Sequence, residues 1–220
     1  MAQDRWVTFD CFGTLCDWHS GYRNALVPIA GPRTAALMEA YHGFERQLEV
    51  ERPHRLYKDV LTAGLELAAK KIGLSLAEGQ SAALVRGWGA MPFFVDVAPA
   101  LTALRQAGWK LGILTNCDED LFAQTLKTMP LRPDHVVTAE RVGSYKPALG
   151  HFLRFEQETQ VARPNWIHAA CSWFHDIAPA RAHGVKRIWV DRDKTGDDPA
   201  AASRVIADLA DLPRAVAELA

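Results

Sequence analysis

The sequence predicts an α/β fold: a doubly wound parallel sheet with a helical cap inserted after its first strand. Three observations predict it. Short apolar runs at 5–9, 109–115, 165–171 and 186–191, with a weaker one at 133–139, read as strands buried on both faces. Segments of helical period alternate with them from residue 92 onward, the pattern of βαβ units. Between the first strand and residue 92, about seventy residues carry helical patterns and no strand.

In chain order, R-W-V-T-F runs from Arg5 to Phe9 and stops at Asp10. The chain then leaves for the insert near Asp17 or Gly21, forms helices over 34–51, 55–72 and 76–88, and returns at Gly87, Gly89 and Pro92. This divides it into a core of residues 1–16 and 92–220 and a cap of residues 17–91. In the core, helix 99–107 carries Leu101 and Leu104 on one face and stops at Gly108, and further helices are expected over 118–129, 148–160 and 176–183. Residues 193–199, D-K-T-G-D-D-P, form a polar loop. Right-handed crossovers put the C-terminal ends of all strands on one edge, and the insert lies over that edge as a lid.

Composition excludes several classes. The chain has 220 residues, 49% hydrophobic and 23% charged, enough for a buried core without cross-links. Its net charge is -1 and its 25 basic residues form no run, which argues against nucleic-acid or membrane partners. The start M-A-Q-D-R-W lacks the parts of a signal peptide, and no apolar run approaches a membrane span, as expected of a cytoplasmic protein. Cys11, Cys16, Cys117 and Cys171 show no C-x-x-C pairing or metal-ligand spacing and read as reduced, buried residues. Seven tryptophans and an apolar lid are compatible with a homodimer.

Ligands of an open parallel sheet bind outside the carboxyl ends of its strands. Polar residues stand at four such ends: Asp10, Thr115 with Asn116, Lys146 in V-G-S-Y-K-P, and the segment from Cys171 to Asp176. A carboxylate closing an apolar strand must be paired or hydrogen-bonded. Gly13 lets the following loop turn its N-H groups towards Asp10.

The string F-D-C-F-G-T-L resembles the first motif of the haloacid dehalogenase (HAD-like) superfamily, whose leading aspartate becomes a covalent ester. I-L-T-N, S-Y-K-P and H-D-I-A-P-A are similar to the second, third and fourth motifs, so the resemblance spans most of the chain and implies a Rossmann-like core. Phosphatases of the superfamily carry a second aspartate where this chain has Phe12, and a metal-binding aspartate where it has Cys171. Magnesium gains little from a thiol, and without metal and acid the transfer of a phosphoryl group loses most of its charge compensation. These departures resemble the type II L-2-haloacid dehalogenase branch, which implies a hydrolase that removes halide from short 2-haloalkanoic acids with no metal and no cofactor. The alternatives are a magnesium-dependent phosphatase and a non-catalytic member that binds a small carboxylate or a protein partner.

The resemblance implies Asp10 as nucleophile, Lys146 as its cation and Asp176 as the acidic member of the fourth motif. At about 4 Å, Lys146 would attract Asp10 by about 4 kcal/mol at an effective dielectric near 20. Replacing it with methionine is expected to abolish turnover and leave the fold intact. His175 is a candidate to activate the hydrolytic water. Thr115 and the backbone N-H groups of Asn116, Cys11 and Phe12 are candidates for holding the substrate carboxylate, aided by a helix starting near Asp118. Phe12, Trp18 and Phe93 or Phe94 can supply an apolar wall. In the branch a cap arginine holds the halide; aligning on Q-L-E (Gln47 to Glu49) puts Phe44 at that position, leaving Arg46, favoured over Arg23, Arg52 and Arg55.

Overall fold

A computed structural model describes residues 4–220. The apolar runs form β1 (Trp6–Phe9), β2 (Lys110–Thr115), β3 (His135–Thr138), β4 (Trp166–Ala170) and β5 (Lys186–Val190), and a sixth strand, β6 (Arg204–Ile206), follows. All pair in parallel in the order β3-β2-β1-β4-β5-β6. Strand order reverses between β1 and β4, which is where such sheets open a crevice for ligands. β1 and β4 are buried along their whole length, as strands covered by helices on both faces must be.

The chain leaves β1 through a tight loop and enters α1 (Trp18–Ala30), whose first turn is capped by the Asp17 side chain accepting from Ser20 N at 3.0 Å. Then follow α2 (Thr34–Glu49), α3 (Tyr57–Lys71) and α4 (Ala83–Gly87). Tyr41 of α2 packs against Gly64 of α3, where an added Cβ would lie 2.9 Å from its ring, so glycine sets how closely the two helices approach. The neck of this insert is tied: Asp17 N donates to Pro92 O at 2.8 Å, and Cys16 bridges Phe93.

The remaining helices are α5 (Val97–Gln106), α6 (Glu119–Thr125), α7 (Ala139–Val142), α8 (Gly150–Thr159), α9 (Ala178–His183) and α10 (Leu212–Leu219). No helix among the described residues is long and apolar enough to cross a membrane.

Three departures from the sequence expectation have local causes. The helix expected over 76–88 shrinks to α4 with short 3-10 turns at both ends, because Gly79 takes φ +75° and the Gln80 side chain accepts from Ala77 N, closing a turn instead. Gly21 and Pro28 hide α1, although Tyr22, Leu26 and Ala30 mark its buried stripe. The helix expected from residue 176 begins as a π-turn, Trp173–Ile177, before α9; such turns are frequent at functional sites.

Candidate active site

The loop after β1 is built to present Asp10. Leu15 N and Cys16 N both donate to Cys11 O, and Gly13 N donates to Cys16 O at 2.7 Å. Gly13 has φ +97°, and a Cβ there would lie 2.8 Å from Cys171 Sγ. None of these bonds uses the N-H of Cys11 or Phe12. The loop also folds Thr14 back onto the carboxylate: its hydroxyl donates to Asp10 Oδ2 at 3.0 Å and accepts from Cys171 N at 2.9 Å.

Lys146, in the loop after α7, reaches the other oxygen. Its ammonium has three protons, and three acceptors surround it: Asp10 Oδ1 at 2.9 Å, Leu114 O at 2.8 Å and Asp176 Oδ1 at 2.6 Å. The Asn116 side chain fixes this loop from β2, accepting from Lys146 N at 2.7 Å and donating to Lys146 O at 3.1 Å. Asp176 Oδ1 also receives His168 Nε2 at 3.1 Å. Behind it, Trp166 Nε1 donates to Thr8 Oγ1 at 2.8 Å, and Thr8 Oγ1 pairs with His168 Nδ1 at 2.9 Å. His168 donates to the carboxylate through Nε2-H, which leaves Nδ1 to accept from Thr8.

Asp10 is 7% exposed, and Lys146 and Asp176 are almost fully buried. Burial raises the Asp10 carboxyl above the ordinary range; Lys146 opposes the rise and Asp176 adds to it. Burial pushes Asp176 the same way, but Lys146 and His168 outweigh it and hold that carboxyl well below the usual range. The two carboxylates share one cation, and Asp176 has a second partner and the shorter contact, so negative charge settles there first. Burial works against the Lys146 ammonium, yet both carboxylates outweigh it and raise its pKa.

Asp176 Oδ2 is buried with no hydrogen-bond partner among the described residues. His175 beside it is half-buried; its backbone N-H donates to Ser172 Oγ at 3.1 Å and its Nδ1 pairs with that oxygen at 2.9 Å. Burial lowers the His175 pKa, and the ring interacts electrostatically with Asp10, Asp176 and Lys146 of the core and with Glu45 of the cap.

The sequence-proposed residues do not all gather. Asp10, Lys146, Asp176 and His175 do. Cys11 is fully buried, with its thiol 3.8 Å from Cys16, so only its backbone can meet a ligand. The Thr115 hydroxyl turns to Cys117 Sγ at 3.6 Å, and the Thr115 carbonyl accepts from His151 Nε2 at 3.1 Å. Phe12 packs its ring on Trp88 of the cap, centroids 4.5 Å apart. Phe94 lies under the Arg192 guanidinium, 4.0 Å from its ring centre, a structural contact rather than a pocket wall.

Arg46 is corrected: it stands exposed on α2, while Glu45 and Glu49 occupy the half-buried face. Arg23, Arg52 and Arg55 are exposed as well. Sequence reasoning missed Thr14, Thr8 and His168. Thr14 lies in the very motif that was read, and His168 is a polar residue in the apolar run N-W-I-H-A-A-C.

The donor set does not suit magnesium. Both carboxylates already face Lys146, and the neighbouring Cys171 thiol, raised well above its ordinary pKa by burial, is soft and neutral. Among the described residues no three His, Cys, Asp or Glu side chains converge as a metal cluster.

A parallel sheet whose first strand ends on a buried, lysine-paired carboxylate beneath a helical lid defines a class of aspartate-centred hydrolytic folds. The chain belongs to the haloacid dehalogenase-like hydrolase family, whose model matches residues 5–168. It is 24% identical to (S)-2-haloacid dehalogenase 2 of Pseudomonas sp. (strain CBS-3) over 97% of this chain and 96% of that protein. The crystal structure of the L-2-haloacid dehalogenase RSc1362 superposes with a TM-score of 0.89 at 24% identity, covering 98% of this chain and all of that one. An L-2-haloacid dehalogenase from Xanthobacter autotrophicus with chloropropionic acid covalently bound superposes with a TM-score of 0.86 at 19% identity, covering 99% of this chain and all of that one.

Proposed function

We propose that this chain hydrolyses the carbon-halogen bond of a short 2-haloalkanoic acid through an ester on Asp10, without a metal ion. The observation that carries the reading is the Lys146 ammonium held between Asp10 and Asp176 at 2.9 and 2.6 Å, in a site with Phe12 and Cys171 where a metal-dependent phosphatase needs carboxylates. The names of the relatives, and the covalently bound chloropropionic acid in one of them, support it.

In the first step an Asp10 carboxylate oxygen attacks the halogen-bearing carbon, the carbon-halogen bond breaks with its electron pair on the halide, and an ester forms. Lys146 and Thr14 keep the carboxylate ionised and oriented, and desolvation by Phe12 and the cap sharpens it as a nucleophile. The N-H groups of Cys11, Phe12 and Asn116 receive the substrate carboxylate. In the second step water attacks the Asp10 ester carbonyl, and the alcohol leaves with a proton.

Two acceptors stand ready for that water, Asp176 Oδ2 and His175. Asp176 is held so far below the usual carboxylate range that it is a weak base, so it orients the water. His175, kept neutral by burial, takes the proton through Nε2 in the tautomer whose Nδ1-H donates to Ser172. Residues 17–91 act as the lid and residues 4–16 with 92–220 as the catalytic core.

Multiple turnover on 2-chloropropionate in heavy-oxygen water, followed by mass spectrometry, tests the ester. Heavy oxygen is expected in the peptide bearing Asp10; halide release with no label there removes the mechanism. A His175→Ala variant is expected to release one halide per chain and accumulate the ester.

A further inference from the structure

The buried chain of hydrogen bonds behind Asp176 runs in one direction, and the residue at its far end cannot reverse it. Thr8 of β1 and His168 of β4 are partners in register on adjacent strands, and Trp166, two residues before His168, projects from the same face of the sheet. Gly112 of β2 flanks Thr8 on its other side and makes room for it: a Cβ there would lie 2.9 Å from Thr8 Cγ2 and 2.7 Å from the Phe155 ring. The Phe152 ring covers His168, with centroids 5.1 Å apart, and Thr8, Trp166, His168 and Asp176 are all fully buried.

The Trp166 indole has a proton and no acceptor, so at 2.8 Å it can only donate to Thr8 Oγ1. Thr8 then gives its own proton to His168 Nδ1 at 2.9 Å, and the imidazole proton sits on Nε2, from which it reaches Asp176 Oδ1 at 3.1 Å. The reverse arrangement would leave the Thr8 proton with no acceptor among the described residues and set a bare Nε2 lone pair against a carboxylate. Asp176 Oδ1 thus takes two bonds, the other from Lys146 Nζ at 2.6 Å, while Oδ2 is buried with no partner among the described residues. A carboxylate held by one donor can turn about its Cβ-Cγ bond, and a second donor on the same oxygen fixes where the other oxygen stands. Asp10 is held separately, by Lys146 on Oδ1 and Thr14 on Oδ2. When Asp10 becomes an ester it loses its negative charge, Lys146 is drawn towards Asp176, and His168 is the donor that still anchors Asp176.

Resting on the dehalogenase reading above, we infer that His168, locked in one tautomer by Thr8 and Trp166, is a positioning residue for the second half of the reaction. It acts through Asp176, setting Oδ2 where the water that cleaves the Asp10 ester is oriented. Attack on the carbon-halogen bond does not depend on it.

Single-turnover kinetics with the chain in excess over 2-chloropropionate separate the two steps. Halide release reports ester formation, and the mass of the quenched peptide bearing Asp10 reports ester decay. His168→Leu is expected to slow ester decay by about tenfold or more and to change halide release by less than about threefold. His168→Gln, whose amide offers an oxygen to Thr8 and an N-H to Asp176, is expected to recover most of the loss. A merely structural role would lower the melting temperature and leave the ratio of the two rates as in the wild type. If His168→Leu does not fold, Thr8→Val is expected to slow ester decay and Thr8→Ser, which keeps the hydroxyl, to recover it. Nitrogen-15 NMR of the histidine side chains, with His168 assigned by its loss in His168→Gln, is expected to show a protonated Nε2 and a bare Nδ1; a protonated Nδ1 overturns the lock. Unchanged ester decay in His168→Leu, or slowing of halide release as large as that of ester decay, overturns the inference and leaves the dehalogenase reading in place. Absence of halide release and of any Asp10 ester in the wild type overturns the reading and the inference with it.

Discussion

The core and cap sides of the same pocket treat charge in opposite ways. On the core side each charge has a partner: Lys146 satisfies three acceptors, Asp176 has two donors on Oδ1 and none on Oδ2 among the described residues, and a chain from Trp166 through Thr8 and His168 backs it. On the cap side Glu45 is met by hydroxyls and an imidazole, and Glu49 accepts no hydrogen bond among the described residues. A reaction that makes and breaks an ester on one carboxylate needs that carboxylate fixed, which the core provides before substrate arrives. The cap instead holds Glu45 on tyrosine hydroxyls and an imidazole, so the attacking carboxylate is pre-organised by the core alone.

The largest expected effect comes from breaking the core side. Lys146→Met should reduce turnover by a factor on the order of 10³ or more. It should also destabilise the chain by about 3–5 kcal/mol, because Asp10 and Asp176 lose their shared cation while buried. This revises the expectation from sequence that the fold would be untouched. Urea unfolding and a halide assay measure the two effects, and Lys146→Met with Asp176→Asn should recover part of the stability and none of the rate. Turnover within twofold of wild type would sink the assigned role.

Next in size is the acid dependence of the core. Burial lowers His151 from 6.5 to about 3, and its Nε2-H donates to Thr115 O. The folded chain therefore refuses a proton that the unfolded chain accepts below pH 6.5, and stability is lost as pH falls from 6.5 to about 3. The slope reaches up to about 1.4 kcal/mol per pH unit. Melting temperatures over this range should fall more gently in His151→Gln.

The seam between the two sides gives a smaller effect. Asp118 of the core accepts from Tyr57 N at 2.7 Å and Lys58 N at 2.9 Å, capping α3 from across the pocket where the helix's own Leu56 cannot. Asp118→Ala should cost about 1–2 kcal/mol and raise KM. Hydrogen exchange should quicken in the first turn of α3; unchanged exchange would mean that the cap is held elsewhere.

The cap gives a dependence of the opposite pH sign. Burial and Glu45 raise Glu49 from 4.5 to about 8, so its contribution is fully present below pH 4.5 and is lost as pH rises to about 8. Glu49→Gln should remove this alkaline slope and leave the His151 acid slope as it was.

How much was legible in the sequence follows the range of the interactions. Strands β1 to β5 were readable because burial on both faces leaves a continuous apolar run, whereas the three-residue edge strand β6 has no such pattern. Asp10 was readable because it ends a strand, a place fixed by topology, whereas Lys146 and Asp176 stand several residues beyond β3 and β4 and were read from the strings S-Y-K-P and H-D-I-A-P-A. Thr14 and His168 were not, because their roles depend on Asp10 and Asp176, partners brought to them by the folded loop and by strand pairing. Arg46 misled because a charge counted along a helix does not reveal which face the helix turns inward; α2 turns Glu45 and Glu49.

By itself the sequence determined the parallel sheet and the presence of Phe12 and Cys171 where phosphatases of the superfamily carry aspartates, since periodicity and residue identity are local properties of the chain. The tertiary structure alone decided that one lysine serves two carboxylates and that Asp118 of the core caps α3 of the cap. Charge balance is a sum over residues far apart in sequence, and only the packing of cap on core states which of them are summed.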